Sequence, residues 1–219
     1  LNGRGGHVEQ THLYIDPASA AAWCAVTAQE AWQGGPGYVA MTECVRYIKE
    51  LVDGSGLDII SLGPGEARDE VRLVQTLSQE GLSHIRLFLL DISQPLLSNG
   101  YRHAAQVLGD LGGVAVYAIQ GNFHNLPSYT GLLHSAGRRR LVSMFGYTFS
   151  NLSHEQTFLR HTLSVLSEGD MLLLNLPAVF TTSSDPKEIM EKDRAFNRIA
   201  ADGTRAPAPR MAEFLTGIF

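Results

Sequence analysis

Residues 57–70 set an apolar run, Leu57-Asp58-Ile59-Ile60-Ser61-Leu62, directly against Gly63-Pro64-Gly65, and an amphipathic segment follows at once. That order is a strand, a tight glycine turn and a helix, and it commits this part of the chain to strand–helix units. Glycine at such a turn lets the backbone come close to a ligand at the carboxyl end of a parallel strand. An acid answers the loop. Asp91 closes the apolar run 85–91, 28 positions past Gly63 (91 − 63). An acid at the tip of the second strand is placed to bond ribose hydroxyls. Loop and acid together read as half of a nucleoside-cofactor site.

The alternation continues along the chain. Strands are expected at 57–62, 85–90, 113–119, 140–145 and 170–176, mostly as continuous apolar runs suited to parallel strands covered on both faces. Ahead of them, residues 16–52 read as helical, with a break at Gly34-Gly35-Pro36-Gly37. Asp16-Pro17 is a start signal, acid at the cap and proline at the first helical position. A second helix is expected at 42–52, with Val45, Ile48 and Val52 at helical spacing. The helix from Ser93 carries Leu97, Tyr101, Ala104 and Leu108 on one face. The helix from Ser153 opens with Gln156 in a capping box and ends at Gly169. The fold expected is α/β, a doubly wound, mostly parallel sheet with right-handed crossovers and an N-terminal helical segment. Its divisions are a helical cap over 1–54, a Rossmann-like core over 55–180 and a helical or loop remnant over 181–219.

Composition narrows the function classes. The 219 residues are 44% hydrophobic, enough for a real core, and carry a net charge of −5. That balance argues against a nucleic-acid partner. The basic run Arg138-Arg139-Arg140 precedes an apolar strand and reads as a solvated strand entry. Cys24 and Cys44 show neither metal spacing nor a disulfide framework. They are expected on helices in a reducing, cytoplasmic setting. No apolar run is long enough to span a membrane, and the start shows no signal peptide. The chain begins at Leu1, so a fragment of a longer protein is expected. The eight histidines form neither H-x-x-x-H nor H-E-x-x-H, so no metal is expected and surface or capping roles are assigned to them. No G-x-S-x-G elbow supports hydrolase chemistry.

The glycine loop alone is ambiguous. Arg68 stands where the third glycine of the dinucleotide fingerprint belongs, which counts against NAD, and no Gly-Lys-Ser/Thr makes it a P-loop. An ordinary strand-to-helix turn fits it equally. Asp91 also suits a helix cap, because Ser93-Gln94-Pro95 begins a helix. Beyond the third strand, the Asn122 amide suits the adenine edge and the Phe123 ring its face. An asparagine turn and a core phenylalanine are the plain alternative. Beyond the fourth strand, Gly146 permits close backbone approach, and Asn151 offers a donor and an acceptor to a substrate amine or carboxylate. S-adenosylmethionine (SAM) is the cofactor expected from these four sites together.

The succession of residues 62–70, 87–93, 118–123 and 146–176 resembles the histidine-specific SAM-dependent methyltransferase family. That family methylates the α-amine of histidine, as in ergothioneine biosynthesis, or of a prenylated tryptophan, as in ergot alkaloid pathways. Its Gly-Ser-Thr-Ile-Gly-Asn hallmark is matched here by Gly146-Tyr147-Thr148-Phe149-Ser150-Asn151, and its later Gly-Asp-x-Leu-Leu by Gly169-Asp170-Met171-Leu172-Leu173. Residues 37–45 are similar to its Tyr-Tyr-x-x-x-x-Glu segment, which puts Tyr38 on a tyrosine lining the amino-acid site and Glu43 on the motif's glutamate. The resemblance spans residues 32–180 and is most specific over 138–174. Three positions depart from it: Asn122 replaces an aspartate, Ser150 a glycine and Tyr147 a small residue. The family's remaining amino-acid-binding segment is matched only faintly, by Ala195-Phe196-Asn197.

The resemblance implies a Rossmann-like class I methyltransferase. Gly63, Pro64, Gly65, Asp91, Ile92, Asn122, Phe123, Gly146 and Tyr147 would hold the cofactor, and Tyr38 and Asn151 a small-molecule amine. SAM would leave as S-adenosylhomocysteine, with no covalent nucleophile. Two other readings stand beside it: a SAM-fold binding or scaffold protein without activity, and a methyltransferase acting on a protein.

Overall fold

A computed structural model describes residues 14–28, 37–52, 54–133, 136–146 and 148–175. Among the described residues five parallel strands form one sheet in the order β3-β2-β1-β4-β5: β1 Leu57–Leu62, β2 Ile85–Asp91, β3 Val114–Gln120, β4 Arg139–Met144 and β5 Met171–Leu174. The chain runs outward from β1 to β3, then returns to lay β4 on the other side of β1. The carboxyl ends of β1 and β4 therefore flank the point where strand order reverses, the usual ligand crevice of an open α/β sheet. This is a Rossmann-like arrangement.

Alternate residues of each strand feed two separate cores. One face carries Leu57, Ile59, Leu87, Leu89 and Leu141 against α2 (Gly37–Val52), α3 (Arg68–Gln79) and α4 (Gln94–Leu108). The other carries Ile60, Leu62, Phe88, Val142 and Met144 against a 3₁₀ segment, Phe123–Tyr129, α5 (Thr130–Leu133) and α6 (Glu155–His161). Coverage of both faces is why the strands read as unbroken apolar runs. The edge strand β3 is the exception. It is mostly half-exposed, and Tyr117 is 44% exposed while stacking on Phe88 at 4.9 Å.

The local signals acted where expected at several ends. Asp16 Oδ1 accepts from the backbone N–H groups of Ala18 and Ser19, each at 2.9 Å, at the head of α1 (Pro17–Thr27). Val45, Ile48 and Val52 are buried from α2, which begins at Gly37 rather than at 42. Cys24 and Cys44 lie on α1 and α2 as free thiols.

Other expectations need correction. Tyr101 points away from the buried stripe of Leu97, Ala104 and Leu108 and is 41% exposed. The box at Ser153 and Gln156 does not head its helix: α6 takes His154 as N-cap with no side-chain capping bond, and it gives way to a 3₁₀ turn at Thr162. The arginine run is not a solvated entry. Asp58, fully buried in β1, is held by Arg86 Nη2 at 2.5 Å and Arg138 Nε at 2.6 Å. Arg140 pairs with Asp170 at 2.5 Å. A carboxylate inside an apolar strand has to be paired, and Asp58 takes one cation from β2 and one from the run. The expected remnant 181–219, including Ala195-Phe196-Asn197, lies outside the described residues.

Candidate functional site

The loops that follow β1, β2, β3 and β4 meet at the carboxyl edge of the sheet, and a cleft of about 830 Å³ lies there. Its floor is the loop between β1 and α3. Gly63 and Gly65 take φ of +66° and +55°, which only glycine adopts at little cost. A Cβ on Gly63 would stand 2.8 Å from Thr148 Cγ2, and the Thr148 hydroxyl donates to Gly63 O at 3.3 Å. The post-β4 segment thus packs on the loop. Behind it, Gly100 of α4 brings its Cα so close that a Cβ there would lie 2.7 Å from Gly65 O. The loop ends in a strained residue, Ala67, at φ 55° and ψ 28°. An alanine in that left-handed region costs roughly 1–2 kcal/mol, strain of the kind that collects at ligand sites.

Asp91 stands over this loop from the tip of β2. Its Oδ1 accepts from Ser93 N–H at 2.8 Å and its Oδ2 from Gly65 N–H at 3.4 Å. Burial pushes its carboxyl up to about 6, against the opposing pull of these backbone donors. The capping role belongs to Ser93, whose hydroxyl accepts from Leu96 N–H at 3.3 Å and heads α4. Asp91 braces the turn before it, with one oxygen turned to the glycine loop.

The other sequence candidates divide. Pro64, Ile92, Phe123, Gly146 and Asn151 line the cleft with Gly63, Gly65 and Asp91. Asn122 does not: its Oδ1 accepts from His124 N–H at 2.9 Å and caps the 3₁₀ segment. Phe123 beside it is buried, edge-on to Phe158 at 5.9 Å, while still reaching the cleft. Tyr147 lies outside the described residues. Tyr38 falls in the first turn of α2, and its side chain is outside them as well.

Three contributors went unread. Glu70 is 1% exposed at the cleft floor and accepts from the Ser61 hydroxyl at 2.6 Å. Burial pushes its carboxyl up to about 8, which favours the neutral form. The signal was present: Glu70, Leu73, Val74 and Leu77 fall at i, i+3, i+4 and i+7, which puts the glutamate on the apolar stripe of α3. The other two are Tyr14 and Trp23 from the N-terminal segment, and no local pattern marked them. Four histidines, His103, His124, His154 and His161, lie at the cleft wall, and His154 and His161 also stand at the N-cap positions of α6 and the 3₁₀ turn after it. Among the described residues no group of three or more side chains is placed to hold a metal ion.

The donor set suits a nucleoside cofactor. A buried carboxylate faces a glycine loop at the strand-order switch, an aromatic ring flanks it, and the volume is that of a ligand crevice. No protein-family model matches the chain, and no curated protein matches it.

Proposed function

We propose that this chain is a SAM-dependent methyltransferase of the Rossmann-like class I type, N-methylating an amino acid or a related small-molecule amine. The observation that carries the reading is the junction of the Gly63–Gly65 loop with Asp91, joined at 3.4 Å, at the carboxyl edge where the strand order turns back. The sequence resemblance supplies the choice of cofactor.

In this reading Asp91 accepts from the ribose hydroxyls, and Ile92 and Phe123 flank the base. Gly63, Pro64 and Gly65 leave room for the methionine part, Gly146 and Tyr147 wall the crevice, and Tyr38 and Asn151 position the acceptor. SAM brings a methyl group already activated by its sulfonium. The chain therefore needs neither a nucleophile nor a metal. Its task is to hold an uncharged amine in line with the methyl donor and keep water out. Nothing in the reading calls for a nucleic acid or a membrane, and among the described residues no helix is long and apolar enough to cross one.

One observation favours a second reading. Asn122, the residue meant for the adenine edge, has its carbonyl oxygen engaged in a cap and stands off the cleft lining. A SAM-binding protein without turnover would tolerate that. Incubation with methyl-labelled SAM separates the readings. Label transferred to free histidine, tryptophan or related amines supports the proposal. Label transferred only to polypeptide moves the acceptor class to proteins. Binding with no transfer to any acceptor supports the inactive binder.

A further inference from the structure

The N-terminal helix closes over the glycine loop. Thr27 Oγ1 donates to Glu66 Oε2 at 2.7 Å, and the Ser93 hydroxyl donates to Tyr14 O, so α1 and the residues before it are pinned to both sides of the loop. The pins bring two aromatic rings into the cleft. Trp23 Nε1 lies 4.0 Å from the point where a Gly65 Cβ would stand. Tyr14 packs on Trp23 at 5.3 Å between centroids, with the planes at 50°. Both line the cleft together with Asp91 and Glu66.

Aromatic rings beside carboxylates, at a point where backbone leaves space, form a surroundings for positive charge. Of the two carboxylates, Glu66 is paired and, among the described residues, Asp91 is not. Arg68 is taken up by Glu66 at 3.3 Å and Arg72 by Asp69 at 3.7 Å, whereas no ion pair engages Asp91 among the described residues. The Asp91 field reaches the Tyr14 phenol, which is pushed up to about 12, mainly by burial and further by that carboxylate.

We infer that Tyr14 and Trp23 form an aromatic wall that recognises the cationic centre of the ligand, so that this site prefers a sulfonium to the matching neutral thioether. The inference rests on the methyltransferase reading and adds a role that no motif assigned. It makes α1 part of the binding site. A neutral product is then held less tightly than the charged cofactor, which favours its release.

The test compares SAM with S-adenosylhomocysteine by calorimetry on wild type, Trp23→Phe and Trp23→Leu. Wild type should prefer SAM, and Trp23→Leu should lower that preference by about 3- to 10-fold, with Trp23→Phe between them. Trp23→Phe keeps an apolar ring against Tyr14 and carries the test if the leucine variant unfolds. Trp32→Phe leaves Trp23 as the one tryptophan of the chain. Its emission should change on adding SAM. Equal weakening of both ligands, or no weakening of either, overturns the wall and leaves α1 a plain lid. Failure of wild type to bind either ligand overturns the methyltransferase reading, and the inference with it.

Discussion

Replacing Glu70 by glutamine should stabilise the protein, and by an amount that depends on pH. Glu70 is fully buried, its carboxyl is raised from 4.5 to about 8, and burial is the largest cause. The native state therefore keeps one proton that the unfolded chain gives up as pH rises past 4.5. Where the native state binds more protons, stability falls with rising pH, at about 1.4 kcal/mol per pH unit. The stability tied to Glu70 is thus fully present below pH 4.5 and lost as pH rises to 8. At pH 7 the loss amounts to roughly 3 kcal/mol. Glutamine cannot ionise, yet its Oε1 can still accept from the Ser61 hydroxyl. Wild type and Glu70→Gln should match within about 1 kcal/mol near pH 4.5, and the variant should lead by roughly 3 kcal/mol at pH 7. Past pH 8 the lead should stop growing. Asp91 loses its own share between its ordinary range and about 6 in both proteins, so only its coupling to Glu70, the smallest of the causes acting there, enters the difference. Urea unfolding from pH 4.5 to 8.5, with linear extrapolation, measures this directly. A difference between the two proteins that does not change with pH would refute the reasoning.

Three further outcomes follow from particular contacts. Gly63→Ala should cost about 1–3 kcal/mol through its positive φ and the clash with Thr148 Cγ2, and Thr148→Ala should return part of that loss in a double-mutant cycle of urea midpoints. Asp58→Ala leaves Arg86 and Arg138 without their buried partner and should lower stability by about 3–5 kcal/mol, read by the same unfolding; a loss below 1 kcal/mol would contradict the pairing. Ser143→Ala removes a buried hydroxyl that has no hydrogen-bond partner among the described residues, so thermal unfolding should show it neutral or more stable by up to about 1 kcal/mol.

Much of the fold was legible because strand runs and helix caps are local. The expected β1, 57–62, is the observed strand, and Asp16-Pro17 heads α1 as its residues require. β2 to β5 came within one or two residues, where turns such as Gly113 at φ +82° set the ends. What escaped was decided by partners far along the chain. Tyr101 keeps helical spacing with Leu97 and Ala104, yet nothing in the spacing tells that it leaves the buried stripe. Arg138 reads as a surface cation until β1 and β4 pair and set it beside Asp58, 80 residues away. At the site, the Gly63–Gly65 loop and Asp91 were readable because strand tips carry their own signature. Tyr14 and Trp23 were not, since the fold alone brings α1 across the loop. Asn122 was legible as an asparagine turn and as a ligand contact, and its side chain serves the turn.

The central claim is that the glycine loop and Asp91 bind SAM. Calorimetric titration of SAM and S-adenosylhomocysteine into wild type and Asp91→Ala tests it most directly, with urea midpoints taken alongside to show that the variant is folded. The account predicts micromolar binding by wild type that is lost in the folded variant. Wild-type protein that binds neither ligand, or a variant that binds SAM as well as wild type does, would contradict it.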